Sequence, residues 1–255
     1  MEHIDQSLID AGQQNFSLPH DVVVLPSGGV FYKSKKKSVK VGYLTASDEN
    51  YLLNTNRNGK DNVIIGLLRN KVYEPDLRPD ELLEGDVEAI LLFLRNTSFG
   101  PEYNLSLLDP TTGKYFKHVE YLDSLNIKQT EFKPESDGTF TTKLPKTGVT
   151  VKLRPLTYSE LAELDRMAEE YPTGLTVPKI TWRLNKMVVS VDGLEDRGHI
   201  AQFIETLPIM DSKYIRNFIK DNQPSLDLKR NVIAPSGEKV TFEVSFGAEF
   251  FRPFF

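Results

Sequence analysis

The chain has 255 residues, a formal net charge of −5, 39% hydrophobic and 26% charged residues, and no cysteine. This is a globular composition, large enough for one core or for two of about 120 residues each. It excludes disulfides, thiolate metal ligands and cysteine catalysis, lacks the basic excess of a dedicated nucleic-acid binder, and holds no run near the roughly 20 apolar residues of a membrane helix.

The opening Met1-Glu2-His3-Ile4-Asp5 lacks the basic-then-apolar order of a secretory signal, and with no cysteine the default expectation is a cytosolic setting, which leaves room for a particle that later leaves the cell. Residues 1–20 show little periodicity and read either as an arm lying on a neighbouring subunit or as a mobile terminus. Val22 to Leu25 form a strand entering the turn Pro26-Ser27-Gly28-Gly29, where glycines supply positive φ. Val30-Phe31-Tyr32 and Ser38 to Tyr43 then read as a hairpin with Lys33, Lys35, Lys36 and Lys37 near its tip. That cluster is either a phosphate or acidic-partner contact or a solvated loop guarding a strand edge. Helices follow at roughly 46–54, 62–70 and 85–96, the last with Val87, Ile90, Leu91 and Leu94 on one face and a stop at Ser98-Phe99-Gly100-Pro101. Leu105 to Leu108 and Lys114 to Tyr121 make a second hairpin about Pro110–Gly113.

Residues 129–150 are rich in Thr, Pro and Gly and read as a hairpin or a connection. Beyond them the pattern recurs. Val39-Lys40-Val41 leading to Leu44-Thr45 and Asp48 is matched by Val151-Lys152-Leu153 leading to Leu156-Thr157 and Glu160, 112 residues on. Both pairs, Thr45/Asp48 and Thr157/Glu160, have capping-box spacing. Asp61 and Thr176 are the expected caps of a second helix in each copy, ending near Asn70 and Asn185. Ile200, Phe203, Ile204 and Leu207 repeat the face of Val87 to Leu94 at an offset of 113. Ser212 to Asp221 is then an extra helix, delaying the second closing turn, Ala234-Pro235-Ser236-Gly237. The expected fold is α+β, with two pseudo-repeated units, each a small antiparallel sheet or hairpins with about three helices. The expected boundaries are an arm over 1–20, one unit over 21–128 and another over 129–255.

Chemistry is scarce. His3, His20, His118 and His199 lack metal-ligand spacing, and Gly28-Gly29 and Gly59-Lys60 match neither a P-loop nor a dinucleotide fingerprint. His118, in an alternating strand beside Glu120, reads as a surface histidine. Asp76, Asp80, Glu81, Glu84 and Asp86 precede the third helix, where acids complement the helix dipole. An enzyme would have to assemble its site there, around Asp80, Glu84 and Asp86. A phosphate or nucleic-acid binder would use Lys33 to Lys40. No catalytic, cofactor or metal site is expected. Phe250, Phe251, Phe254 and Phe255 flank Arg252 and Pro253 at the end of the chain. Four such rings are costly to leave in water, so they seal this chain's core or enter a partner's groove.

Leu25-Pro26-Ser27-Gly28-Gly29, Val39 to Leu52, Leu92-Phe93-Leu94-Arg95 with Ser98 to Tyr103, and Glu249-Phe250-Phe251-Arg252-Pro253 resemble the baseplate hub proteins of T4-like contractile-tailed bacteriophages. Many members of that family carry Cys-Pro-x-Cys-Gly at the closing hairpins. The matching stretches here, Asp109-Pro110-Thr111-Thr112-Gly113 and Ala234-Pro235-Ser236-Gly237, lack thiols. The resemblance therefore implies hairpins that persist without metal. It further implies a structural or assembly role in the virion tail baseplate, assembled in the host cytoplasm. The implied partners are other tail proteins, with no catalysis, nucleic acid, membrane or small-molecule substrate. Phe250, Phe251, Arg252, Phe254, Phe255, Lys33, Lys35, Lys36 and Lys37 are the expected partner-binding residues.

Overall fold

The structure is a computed structural model that describes residues 19–53, 60–246 and 248–251. It is an α+β protein built from small antiparallel sheets and helices.

Strands β1 (His20–Val24) and β2 (Ser38–Gly42) pair antiparallel, with His20 opposite Gly42 and Val24 opposite Ser38. Alternation buries Val23, Val39 and Val41 and turns Val22 and Val24 to solvent. The partner of β2 is thus Val22–Val24, not the Val30–Tyr32 segment that the sequence suggested. Gly28 and Gly29 both take positive φ, so residues 26–34 coil through turns and Tyr32 enters the core. Helices α1 (Ala46–Leu53) and α2 (Lys60–Lys71) follow, and Val72, directly after α2, bridges Val41. Helix α3 (Glu84–Phe99) buries Val87, Ile90, Leu91 and Leu94 on the expected face. Gly100, at φ 80°, ends it, and its amide reaches the Asn96 carbonyl. Strands β3 (Glu102–Leu108) and β4 (Tyr115–Tyr121) then form a two-stranded ribbon.

The second half opens with β5 (Phe140–Lys143) and β6 (Thr150–Leu153), so residues 129–150 contain a hairpin. Helix α4 (Tyr158–Glu169) starts on a complete capping box. The Thr157 hydroxyl accepts from the Glu160 amide at 3.2 Å, and Glu160 accepts from the Thr157 amide at 3.0 Å. Helix α5 (Lys179–Met187) begins after Pro178, not on a Thr176 cap, because proline already suits the entry and brings no unpaired amide. Strand β7 (Val188–Val191), absent from the sequence reading, follows at once and joins the other edge of β6. Helices α6 (Arg197–Glu205) and α7 (Ile209–Asn222) lead to a second ribbon, β8 (Lys229–Ile233) and β9 (Lys239–Glu243).

Two features recur. Val72 after α2 bridges Val41, and Val188 after α5 pairs with Leu153. The second is a carboxylate clamp. Asp86, in the first turn of α3, accepts from the Ser27 amide at 2.9 Å. Asp211, in the first turn of α7, accepts from the amides of Lys146 at 2.8 Å and Thr147 at 2.9 Å. Each clamped loop follows a Leu-Pro pair, Leu25-Pro26 or Leu144-Pro145. Asp86 and Asp211 stand 125 residues apart, and so do Pro110 and Pro235 in the ribbon turns. The helix that shares the contacts of α3 is therefore α7; α6 is the additional element, which reverses the assignment drawn from apolar periodicity.

Buried side chains form two clusters. One joins β1, β2 and α1–α3 with Leu226, Val244, Phe250 and Phe251. The other joins β5–β7 and α4–α7, from Phe140 to Ile219. The segment after α7 thus packs on the core of the chain's first half.

Candidate interaction site

The two ribbons lie against each other through their half-buried faces. Along β3 and β4 burial alternates strictly, with Tyr103, Leu105, Leu107, Phe116, His118 and Glu120 half-buried and their neighbours exposed; Arg230, Val232, Val240 and Phe242 are the half-buried set of the second ribbon. Arg230 Nε donates to Glu120 Oε1 at 3.0 Å. His118 lies 3.1 Å from Glu120 Oε2 and packs edge-on against Phe242, so it sits at this seam and not on the open surface. At the tips, Asp109 is 2% exposed. It accepts from the amides of Thr111 and Thr112, closing its own turn, and from the Ser236 hydroxyl at 2.8 Å and amide at 3.3 Å. One carboxylate thereby holds both turns.

With the inner faces joined, the outer faces look away from each other. The first presents Leu108, Tyr115, Val119 and Tyr121, with Tyr115 73% exposed; the second presents Ile233 at 65%. Neither ribbon acquires a third strand among the described residues, so each keeps unpaired edges, the features that recruit a further strand.

The base of the ribbons rests on Arg95. This side chain is fully buried on α3 and donates to the Gly100 carbonyl and, at 2.6 Å, to the Glu102 carbonyl. Its guanidinium also sits 5.3 Å from the Tyr103 ring and 5.7 Å from the Phe250 ring. Among the described residues no carboxylate pairs with it, and burial lowers its pKa. Arg95, the nearby Gly100–Tyr103 stretch and Phe250, far along the chain, therefore meet at one cation.

Phe250 is 0% and Phe251 8% exposed, so these two rings seal the chain's own core and offer a partner no open face. Arg252, Phe254 and Phe255 lie outside the described residues, as does the arm over residues 1–18. Of the loop lysines, Lys35 donates to the carbonyls of Val30 and Ser136, and Lys36 pairs with Glu74 at 2.9 Å. Lys33 and Lys37 are exposed. The structure does not bring Asp80, Glu84 and Asp86 together: Asp80 takes a two-pronged contact from Arg69, Asp86 points into the core onto Tyr32, and Glu84 lines a cavity of about 940 Å³ between the two halves. Among the described residues no three His, Asp or Glu side chains are placed to hold a metal, and no helix is long and apolar enough to cross a membrane.

Sequence reading missed Arg95, Asp109 and Ser236 as junction residues. For Asp109 the signal was present, since Asp before Pro initiates a turn through its own side chain, although the second turn it serves is invisible locally.

The ribbons and their shared clasp define an α+β fold with outward-facing β-ribbons. The chain belongs to the family described as T4 bacteriophage base plate protein, whose model matches residues 29–252. It is thus a protein related to the phage baseplate, with the virion tail as its place. Comparison with curated proteins and with solved structures yields no match.

Proposed function

We propose that this chain is a structural component of the inner baseplate, at the hub of a contractile tail, where it joins other tail subunits and performs no catalysis. The observation that supports this is the pair of back-to-back ribbons, each with an unpaired edge and apolar side chains on its outer face. Such edges take a partner strand by main-chain hydrogen bonding, while alternate side chains set specificity. Lys33, Lys37, Arg252, Phe254 and Phe255 complete the proposed contact set. Two similar but unequal ribbons suit a junction between subunits whose symmetries differ. Assembly takes place in the host cytoplasm, with neither nucleic acid, membrane nor a small-molecule substrate as partner.

Quantitative mass spectrometry of purified particles, with lysine cross-linking, tests the reading. A fixed integer ratio to known tail subunits, with cross-links from Lys33, Lys37 or Lys117 to them, is expected. Absence from particles despite abundance in the infected cell would overturn it in favour of a hub assembly factor that leaves the finished virion.

A further inference from the structure

The cavity of about 940 Å³ lies between the two cores, walled by the start of α3, the 126–129 segment, α5, α7 and the foot of the second ribbon. Into it α3 carries Glu84 and Glu88, one helical turn apart and so on one face, and β9 ends with Glu243 on the same cavity. Glu88 Oε2 is buried and has no hydrogen-bond partner among the described residues. An ionised carboxylate in that position must find a partner or give up its charge.

The basic groups around the cavity do not serve it. Lys128, on the linker, donates to the Lys220 carbonyl at 3.0 Å, and Arg216 Nε, on α7, donates to the Ser212 carbonyl. Arg183, Lys220 and Lys229 are exposed at the rim, as are Asp221 and Asp227. The charges that bear on Glu88 are Glu84 and Glu243, both of its own sign; with burial as the larger cause they raise it to about 8.

We propose that this cavity is a docking socket for a basic side chain, arginine or lysine, of a neighbouring tail subunit, which forms its ion pair with Glu88. The inference rests on the baseplate reading for the source of the side chain. Charge complementarity selects the occupant. Glu88 Oε2 lacks the hydrogen-bond donor that Asp48, Asp86, Asp109 and Asp211 each possess, the adjoining carboxylates add to the same field, and their arrangement does not suit a metal ion. A side-chain head also suits the space, which greatly exceeds one water. Docking is then coupled to loss of the Glu88 proton and strengthens as pH rises.

The experiment uses the full chain with n-propylguanidinium, the head group of arginine, and neutral n-propylurea as control. The Glu88 side-chain carboxyl ¹³C resonance is followed by NMR from pH 5 to pH 10. Saturating guanidinium should lower the midpoint from about 8 by at least about one unit. Its affinity should rise about tenfold between pH 6.5 and pH 9, urea should do neither, and Glu88→Gln should lose both binding and pH dependence. An unmoved Glu88 midpoint, or equal binding by Glu88→Gln, would overturn the socket. In purified particles, carbodiimide coupling of glycine ethyl ester to Glu88 should be suppressed relative to the isolated chain; equal coupling would overturn occupation by a partner. Failure of the baseplate reading has a separate signature, the absence of every peptide of this chain from the particles.

Discussion

Asp86 and Asp211 perform the same task in the two halves, each tying the loop of a β-hairpin to the first turn of a helix, yet they do so in opposite electrostatic settings. Asp86 is fully buried and takes the Ser27 amide together with the Tyr32 hydroxyl, which in turn accepts from the Leu83 amide. Burial dominates there and raises its pKa, against the pull of its hydrogen bonds. Asp211 is equally inaccessible, but its cover is the loop that carries the exposed residues Lys146 and Thr147. Burial opposes its ionisation too, yet two backbone amides outweigh that opposition and its pKa is lowered. The same geometry therefore makes a core network in one half and a surface latch in the other.

The largest test of this contrast removes the carboxylates. Asp86→Ala strands the Ser27 amide and the Tyr32 hydroxyl inside the core, where each unmade bond costs about 1–3 kcal/mol. A loss of about 3 kcal/mol is expected in urea unfolding. Asp211→Ala exposes two amides that water can reach, and about 1 kcal/mol is expected. Equal losses would break the contrast.

Acid sharpens it. The lowered pKa of Asp211 contributes stability that is present above its ordinary value of 3.8 and is lost as pH falls through the folded value. The raised pKa of Asp86 has the reverse sign, because the folded chain there holds its proton more tightly than the unfolded one. Its contribution declines as pH climbs from 3.8 through the folded value. Between the two, Asp211→Asn should flatten the acid limb of a stability–pH curve, while Asp86→Asn should flatten the limb above 3.8. The same direction of change in both variants would remove the electrostatic distinction.

A third substitution addresses the joint between the halves. Gly85, on α3 one residue before Asp86, lies against the chain leaving α7. A Cβ there would stand 2.6 Å from Ser225 Cα and still closer to the Pro224 carbonyl. Backbone cannot step aside as a flexible side chain can, so Gly85→Ala should cost about 1–3 kcal/mol through overpacking. The position on α7 that corresponds by the 125-residue spacing is Met210, which is 61% exposed. Met210→Ala should leave stability unchanged within about 0.5 kcal/mol. Parallel chemical denaturation of the two variants shows whether the joint belongs to one half alone.

These contrasts explain what the sequence made legible. Helices with long apolar periodicity, such as α3 with Val87 to Leu94, and signals confined to a few residues, such as the Thr157–Glu160 box, declare themselves locally. Strand β7 did not, because Val188–Val191 follows a helix without a turn residue and is a strand by virtue of pairing with β6. Periodicity also matched α3 to α6, since any amphipathic helix presents the same spacing; the match to α7 depends on Asp211 reaching a loop 64 residues away. The candidate site was legible only in part for the same reason. Asp86 reads as an ordinary helix-start acid until Tyr32 is seen against it, and Asp109 reads as an acid of its own turn until Ser236 of the second ribbon is seen on it.

The smallest expected effect compares the two helix starts that first suggested duplication. Thr157 is a true cap: its hydroxyl accepts the Glu160 amide, and Glu160 returns the bond while pairing with Arg154 at 2.6 Å. At Thr45 the roles differ. Its hydroxyl donates to Asp48 at 2.6 Å, and Asp48 is held mainly by Lys71, an ion pair at 2.5 Å whose ammonium also reaches the Tyr43 carbonyl. Thr157→Ala should therefore cost about 1 kcal/mol, the worth of a capping hydroxyl. Thr45→Ala should cost a few tenths, because Asp48 keeps both the Thr45 amide and the Lys71 ammonium as partners. Equal penalties in a thermal or urea scan would mean that the Asp48–Lys71 pair depends on the Thr45 hydroxyl for its position, and that the first half uses its cap as fully as the second.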